Sequence, residues 1–440
     1  MKTNQKKPRI CIALPGINYL PYSPYVLSTL PMVPYLADDY DITVVYRKIL
    51  EPQGLDYKYL TLLDESQMSE KERQNKQGYH NPTDYVNLLK YRKVLEQFAA
   101  KHAEDFDLIL EKEWPLLGAF SVAFAKYNVP TVLLAEAVYK FQKKSEPFWK
   151  GNVVRKALGL GLDRLRPQLR KGWTQKATGI VAETEQLKEF FIDRGYATKQ
   201  KPIYPIPYGV DLQIFAPRDR QICREELGIK SDAFVLTYVG SLNRFIQEPG
   251  PIIEALGREK PKNVVLHIVG DGNKRHELEE IASKYNAPVI FHGRLPQEKA
   301  AVYIGASDIC IAPYNRYLYA DDKFTCASLK IPEYMACGRA VLTIPCERME
   351  YLLDGQKYGF LVENEVDSYR EFFRNLPSKT ELEKMEATIL NDLQNSTLKD
   401  KCIVLSWRDI AEMHKQVIED CLAGKFSWSN SPKSADLVTQ

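Results

Sequence analysis

Short apolar runs alternate along the chain with longer segments whose apolar residues recur at helical spacing. Residues 340–344 form such a run and predict a buried strand, whereas residues 85–103 carry the helical spacing and predict a helix. Strands that alternate with helices are typical of a parallel sheet with helices on both faces. The pattern therefore predicts an α/β protein.

The first half of the chain carries one such alternation. Its first predicted strand ends at Pro15 and Gly16, where the glycine permits either a plain turn or the close approach of a ligand. No element is predicted for the polar residues 51–82. The predicted strands are 9–14, 41–46, 107–110, 130–135 and 179–183, and the predicted helices are 25–36, 85–103, 116–127 and 184–195.

A second alternation follows the proline-rich residues 202–207, whose composition marks a linker between domains. Three of its strands end in glycine, at Gly240, Gly270 and Gly293, and ligands of parallel sheets bind at such strand ends. The predicted strands are 234–239, 264–269, 289–291, 309–313 and 340–344, and the predicted helices are 251–257, 276–285, 299–305, 331–336, 369–376, 382–393 and 407–422.

A length of 440 residues suits two large α/β domains. We expect residues 1–202 to form an N-terminal domain and residues 203–402 to form a C-terminal domain. Residues 403–426 should form a terminal helix that packs back towards the N-terminal domain. The polar residues 427–440 have the composition of a disordered tail.

The stretch 325–344 combines a predicted helix start with a cation and a carboxylate. Ser328 and Leu329 precede the helix, and free backbone N–H groups at a helix start favour an anion. Lys330 adds a positive charge at the same end, and Glu333 could accept hydrogen bonds from a pair of sugar hydroxyl groups. Phosphate beside ribose describes a nucleotide. Neither a G-x-G-x-x-G fingerprint after a strand nor a G-x-x-x-x-G-K-[ST] phosphate loop occurs, so those two nucleotide sites are not predicted.

Charge and cysteine content narrow the function classes. A net charge of +3 gives no general nucleic-acid footprint, and no apolar run reaches the length of a membrane span. Eight cysteines without a C-x-x-C pair indicate reduced thiols and a cytoplasmic protein. Residues 149–176 mix basic side chains with leucine and tryptophan, which fits either a helix lying on the anionic inner face of a membrane or an ordinary surface helix.

One acidic pair is a candidate metal ligand. Asp105 and Asp107 form a D-x-D pair, which can hold a divalent cation against a diphosphate. The pair precedes a predicted strand, whereas ligand sites in parallel sheets lie at the other end of the strands. We therefore interpret it as an acidic turn, and the sequence predicts neither a metal nor a cofactor.

Six segments of the second half follow one another in the order of the motifs of a known family. They are IPYGVDLQIFAP (206–217), TYVGSL (237–242), HIVGDG (267–272), VIFHGRLPQEKAAVYIGASDICIAPY (289–314), SLKIPEYMACGRAVLT (328–343) and LSWRDIA (405–411). Together they resemble the retaining glycosyltransferases of family 4, which have the GT-B fold. The first half is similar only in layout, with ATGIVAETEQLKEFF (177–191) as its best match.

The resemblance implies two doubly wound, Rossmann-like α/β domains that face each other across a cleft. It implies that residues 1–202 form the acceptor-side domain and that residues 203–402 form the domain that binds the nucleotide sugar. It also implies metal-independent transfer of a sugar, with retention, from a UDP- or GDP-sugar to a glycan or lipid-linked acceptor, as in polysaccharide biosynthesis. Fixed cations would then neutralise the leaving diphosphate. The predicted catalytic residues are Lys330, Glu333 and Arg244, and Glu136 is the predicted acceptor-side residue. The predicted donor-binding residues are Gly16, Gly240, Ser241, Gly293, Arg294, Thr325, Ser328 and Leu329.

The chain departs from the family pattern within the same predicted site. Thr325 stands where the family usually has a glutamate, and Ser241 stands where it often has an arginine. The lysine expected a few residues later is missing, and Arg244 could substitute for the basic group. Two alternatives therefore remain open. One is a nucleotide-sugar epimerase on a similar two-domain fold, and the other is a scaffold that binds a sugar nucleotide without turning it over.

Overall fold

In the computed structural model the protein consists of two compact units. The structure describes residues 6–21, 23–63, 85–114, 116–136, 168–198, 201–243, 246–319 and 323–424. At residues 85–90 it describes the backbone alone. The chain passes from the first unit to the second after Pro207, at the end of the proline-rich stretch. The first unit comprises Met1–Pro207, Thr325–Ala327 and Trp407–Gln440, and the second comprises Tyr208–Phe324 and Ser328–Ser406.

The first unit is built on a parallel sheet that contains seven strands within the described residues, in the order β3-β2-β1-β4-β5-β6-β7. The order reverses between β1 and β4, the switch point of a doubly wound sheet. The strands are β1 (Arg9–Tyr19), β2 (Asp41–Ile49), β3 (Lys58–Thr61), β4 (Leu108–Lys112), β5 (Thr131–Ala135), β6 (Gly179–Ala182) and β7 (Ile203–Pro205). The helices are α1 (Pro24–Leu27), α2 (Val33–Leu36), α3 (Tyr85–His102), α4 (Ala119–Ala125) and α5 (Glu185–Asp193), and residues 168–174 are also helical.

Three predicted features of the first unit are corrected by the structure. Strand β1 does not end at Pro15 but stays extended to Tyr19, with a shift in its register against β2 after Leu14. The predicted helix 25–36 is broken into short turns, because its internal prolines cannot donate helical hydrogen bonds. Strand β7 lies within the proline-rich stretch, at the edge of the sheet, where a proline is tolerated.

The second unit repeats the architecture with six strands among the described residues, in the order β10-β9-β8-β11-β12-β13. The strands are β8 (Phe234–Val239), β9 (Val264–Val269), β10 (Val289–Gly293), β11 (Ile309–Ala312), β12 (Ala340–Thr343) and β13 (Gly359–Leu361). The helices are α6 (Arg220–Leu227), α7 (Gly250–Glu259), α8 (Arg275–Tyr285), α9 (Gln297–Ala306), α10 (Lys330–Ala336), α11 (Glu347–Leu352), α12 (Val366–Arg374), α13 (Lys379–Gln394) and α14 (Thr397–Asp400).

The core of the second unit lies between its sheet and the helices α7 and α12. Leu236 and Leu266 of the sheet and Leu256 of α7 are fully buried in it, and Tyr369 and Phe373 of α12 pack against them. Burying side chains of this size contributes roughly 1.5–3 kcal/mol each. Two parallel sheets of this order confirm the predicted α/β, doubly wound fold class.

The final helix, α15 (Trp407–Leu422), belongs to the first unit. It contacts α2 and β4, and Lys415 forms an ion pair of 2.6 Å with Asp39. Its buried face includes Ile410 and Val417. The predicted tail, 427–440, lies outside the described residues. In the part of the chain that is described, no helix has the length and apolar character needed to cross a membrane.

Two histidines make the stability of the second unit depend on pH. His267 Nδ1 on β9 lies 2.8 Å from His292 Nε2 on β10, and the Tyr303 hydroxyl lies 3.1 Å from His292 Nδ1. Burial, and secondly the neighbouring imidazole, lower the pKa of His267 to about 4. The folded-state pKa thus lies below the unfolded value. The stability that neutral His267 contributes is complete above pH 6.5 and is lost as the pH falls towards 4.

We expect His267 to account for about 3 kcal/mol of lost unfolding free energy between neutral pH and pH 4. Residues 208–406 contain no tryptophan, so hydrogen exchange of the peptide 264–269 is the suitable measurement. His267→Gln should flatten the pH dependence. His276→Gln should leave it unchanged, because the His276 side chain is 85% exposed. Equal pH dependence in wild type and His267→Gln would contradict this account.

Candidate active site

The glycines that end β8, β9 and β10 lie against one another at the carboxyl edge of the second sheet. The Gly270 N–H donates to the Gly293 carbonyl oxygen at 2.8 Å, and the Gly240 N–H donates to the Val269 carbonyl oxygen at 2.9 Å. A Cβ added to Gly270 would overlap the Gly240 carbonyl oxygen. The predicted convergence of three glycine strand ends is therefore present, and it leaves backbone, not side chains, at this edge.

Lys330, the first residue of α10, lies directly against Gly240. A Cβ on Gly240 would be only 2.5 Å from Lys330 Nζ, and Gly240 has a φ of +156° that other residues rarely adopt. Lys330 is 8% exposed, and its Nζ lies 5.3 Å from the centre of the Tyr238 ring. The structure thus brings two predicted site residues, Gly240 and Lys330, into contact. A cation beside bare backbone is suited to a phosphate.

Glu333 lies one turn further along α10 and is partly buried. Burial raises the pKa of Glu333 from 4.5 to about 7, although the Lys330 charge opposes the rise. The carboxyl group therefore changes its charge near neutral pH, close to the Lys330 cation. Perturbed acids of this kind concentrate at functional sites, where stability is sacrificed for binding or catalysis.

The raised pKa of Glu333 predicts a stabilising substitution. Its stability contribution is complete below the unfolded pKa of 4.5 and is lost as the pH rises through about 7. Because glutamine cannot ionise, we expect Glu333→Gln to be more stable than wild type at pH 8, by up to about 3 kcal/mol, and nearly equal to it at pH 4.5. Hydrogen exchange of the second unit at both pH values measures this. A variant that is less stable than wild type at pH 8 would contradict it.

The start of α10 differs from the prediction of several free N–H groups. The Ile331 N–H is bonded to the Ser328 hydroxyl at 3.3 Å, and the Glu333 N–H is bonded to the Leu329 carbonyl at 3.2 Å. Pro332 has no N–H to offer. Most donors of this helix start are therefore already used. The positive charge of the site comes from the Lys330 ammonium and not from the helix.

The other predicted donor residues of the second unit lie in its strand-end loops. The Ser241 hydroxyl accepts from the Asn243 N–H at 3.2 Å, so it shapes its own loop. Arg294 is exposed directly after Gly293. Arg244, a predicted catalytic residue, lies outside the described residues.

Gly16 and Thr325 belong to the first unit. A Cβ on Gly16 would lie 2.9 Å from Cβ and Cε3 of Trp114, so tryptophan packing alone requires a glycine there. Thr325 is 2% exposed, and its hydroxyl has no hydrogen-bond partner within the described residues. Its carbonyl oxygen accepts from the hydroxyl of Thr184, which also caps α5. Thr325 is thus a buried polar residue of the first unit.

Glu136, the predicted acceptor-side residue, is held in a charged network at the ends of β4 and β5. Its carboxylate forms an ion pair of 2.9 Å with Lys112. The neighbouring Glu113 is bound by both terminal nitrogens of Arg170, at 3.0 and 2.8 Å. Arg170 and Trp173 are buried, so neither is available to a membrane. Residues 149–167 of the predicted membrane-binding stretch lie outside the described residues.

Residues 233–376 match the protein family described as Glycosyl transferases group 1. This part of the chain is similar to the domain that the group 1 glycosyltransferases share. It contains the three glycine strand ends together with Lys330 and Glu333, so the site lies inside the matched region.

Known relatives extend the similarity beyond this domain. The chain is 24% identical over 287 residues to a D-inositol 3-phosphate glycosyltransferase of Geodermatophilus obscurus, a match that covers 61% of the chain and 59% of that protein. The fold is similar to that of sucrose-phosphate synthase from Thermosynechococcus elongatus, with a TM-score of 0.70 and 16% identity over 95% of this chain and all (100%) of that one. It is also similar to HepE from Anabaena in complex with UDP and glucose, with a TM-score of 0.66 and 15% identity over 93% and 99% of the two chains. These similarities confirm the predicted resemblance and the GT-B fold class.

Three of the buried tyrosines in this region, Tyr238, Tyr314 and Tyr334, contact the candidate site and were not predicted as site residues. The Tyr334 hydroxyl accepts from the Val239 N–H at 3.0 Å and thereby ties α10 to the end of β8. Tyr238 lies beneath Lys330, and the Tyr314 hydroxyl is bonded to Ser328 at 2.6 Å. A tyrosine inside a buried strand or helix needs a partner for its hydroxyl. Tyr238, two residues before Gly240, carried that signal.

The described residues of the two units contain no candidate metal centre. Nowhere among them do three His, Cys, Asp or Glu side chains lie close enough to hold one ion. Asp107 of the acidic pair is bound instead by Arg9, at 2.8 Å, at the start of β4.

Proposed function

We propose that the chain is a metal-independent, retaining glycosyltransferase that moves a hexosyl group from a UDP- or GDP-sugar to a glycan or lipid-linked acceptor. In this reaction the bond between the anomeric carbon and the diphosphate oxygen breaks, and the same carbon bonds to an acceptor hydroxyl oxygen, which loses its proton. The leaving diphosphate gains negative charge. A fixed cation in a water-poor site lowers the energy of that state.

The observation that carries the proposal is the Lys330 ammonium packed against Gly240 at the carboxyl edge of the sheet. There the diphosphate could approach bare backbone and a buried cation together, and Glu333, one turn on, would accept hydrogen bonds from the donor ribose. The relative HepE, solved with UDP and glucose, supports a nucleotide sugar as donor.

Release of free nucleotide tests the proposal. The protein is incubated with a panel of UDP- and GDP-sugars and candidate glycan acceptors, and free UDP or GDP is assayed. We expect release with at least one donor, and we expect Lys330→Ala and Glu333→Ala to abolish it. Release that both variants retain would contradict the assignment of the site.

A second candidate function is binding without turnover. Thr325, in place of the glutamate expected from the family resemblance, favours it, because a buried hydroxyl cannot supply the charge of a carboxylate. The same assay separates the two functions. Nucleotide sugar that binds with Lys330-dependent affinity but is never consumed would identify a scaffold.

A further inference from the structure

We propose that Tyr238 is a positioning residue of the donor site, which fixes the Lys330 ammonium where the diphosphate binds. The inference rests on the proposed function. Tyr238 is the fifth residue of β8 and is fully buried. It would not touch the substrate itself and would act through Lys330.

The ring of Tyr238 supports the ammonium group from below. Lys330 Nζ lies 5.3 Å from the ring centre, within the range of a cation–π interaction. A Cβ atom added to Gly240 would lie 2.5 Å from Lys330 Nζ and 3.0 Å from the Tyr238 hydroxyl. The ammonium is thus confined between an aromatic ring and a glycine whose lack of a side chain makes room for it.

The hydroxyl of Tyr238 anchors the ring to the loop that follows β8. It donates to Gln247 Oε1 at 2.6 Å and lies 3.1 Å from the Ser241 carbonyl oxygen. Gln247 in turn forms an antiparallel backbone bridge with Tyr314, just beyond the end of β11. The ring position is therefore coupled to the backbone of two strand-end loops.

Together with two further contacts, these interactions form a closed ring of contacts around the Lys330 ammonium. The Tyr314 hydroxyl is bonded to Ser328 Oγ at 2.6 Å, and Ser328 stands two residues before Lys330. The ring of contacts runs from the Tyr238 hydroxyl to Gln247, from Gln247 to Tyr314, and from Tyr314 to Ser328. Ser328 leads along the backbone to Lys330, whose ammonium lies over the Tyr238 ring. One tyrosine thus helps to fix both ends of the lysine.

Loss of the ring should leave Lys330 in place along the chain but free its ammonium to move, for example towards Glu333. A long lysine side chain held in one position binds an anion with less loss of conformational entropy than a mobile one. Tyr238 should therefore contribute to diphosphate affinity without contacting the diphosphate.

A double-mutant cycle on UDP affinity, measured by titration calorimetry, tests this role. We expect Tyr238→Leu to weaken UDP binding about tenfold, and Tyr238→Phe, which keeps the ring, about threefold. In a Lys330→Met background, Tyr238→Leu should cause no further loss. Tyr369→Leu is the matched control, since Tyr369 is a buried tyrosine on α12 of the same unit, and it should leave UDP affinity unchanged.

A purely structural tyrosine would behave differently. Losses that add in the Tyr238→Leu, Lys330→Met double variant, or full affinity in Tyr238→Leu, would overturn the inference. Full affinity in Lys330→Met alone would instead overturn the proposed donor site. If Tyr238→Leu does not fold, Tyr238→Phe and Gln247→Leu form a second cycle. Each of these two substitutions should weaken UDP binding about threefold, and the double variant should lose no more affinity than either single variant. Additive losses in this second cycle would also overturn the inference.

Discussion

Replacing Lys330 with methionine should weaken UDP binding about 100-fold, the largest effect on binding that we expect from one side chain. Methionine preserves the length and much of the apolar stem of lysine, so packing against Tyr238 and Gly240 is retained while the charge is lost. Removal of the ammonium also removes the charge that opposes the raised pKa of Glu333. Glu333 should therefore stay protonated to a higher pH in the variant.

Lys284→Met is the matched control for Lys330→Met. Lys284 also lies over a tyrosine ring, with its Nζ 4.9 Å from the centre of Tyr285, but it is exposed at the end of α8. We expect its replacement to leave UDP affinity within about twofold of wild type. Titration calorimetry of the three proteins measures the difference. Equal losses in both variants would mean that general positive charge, and not the position of Lys330, attracts the nucleotide.

Gly270→Ala should lower the free energy of unfolding of the second unit by about 3 kcal/mol. The new Cβ would overlap the carbonyl oxygen of Gly240, which belongs to the backbone and cannot rotate away. Gly270 also has a φ of +152°, which is unfavourable for alanine. Relief of the overlap would separate β8 from β9 at their carboxyl ends, so UDP binding should weaken as well.

Gly228→Ala isolates the backbone part of that effect. Gly228 has a φ of +66°, and a Cβ there would meet no atom within 4 Å. We expect this variant to cost about 1 kcal/mol and to keep normal UDP affinity. Hydrogen exchange of the peptide 264–269 reports both free energies. A Gly270→Ala variant no less stable than Gly228→Ala would contradict the close packing of the glycine strand ends.

The sequence predicted best those elements whose boundaries coincide with a local signal. Strands β8 and β9 have the predicted bounds, because each is a buried apolar run that a glycine ends. Strand β1 was predicted too short, because Pro15 and Gly16 normally punctuate a strand. Here the chain stays extended through both residues, with Gly16 fitted against Trp114, a contact between distant segments that no local pattern contains.

The charged residues of the candidate site could be predicted from the sequence, but the residues that hold them in position could not. Lys330, Glu333 and Gly240 stood out as a cation, a carboxylate and a strand-ending glycine, and the structure brings Lys330 into contact with Gly240. Tyr238 and Tyr314 were not among the predicted site residues. A tyrosine in a buried strand indicates that its hydroxyl needs a partner, but the partners themselves, Gln247 and Ser328, are set by tertiary packing and cannot be read from the sequence.

Glu136 is a residue that was predicted from the sequence but whose ion-pair partner was not. The family resemblance predicted it as the acceptor-side residue, and the folded chain pairs its carboxylate with Lys112, a contact that was not predicted. Lys112 itself belongs to β4, and a lysine at a buried strand end gave no sign of its partner. Ion pairs between elements distant in sequence escape prediction from local pattern for the same reason as the contacts of Gly16.

A crystal structure of the protein with UDP is the most direct test of the central claim that Lys330 and the glycine strand ends hold the donor. We predict the diphosphate within hydrogen-bond distance of Lys330 Nζ and beside Gly240, with the ribose hydroxyls on Glu333. UDP bound elsewhere, or bound here with its diphosphate away from Lys330, would contradict the account.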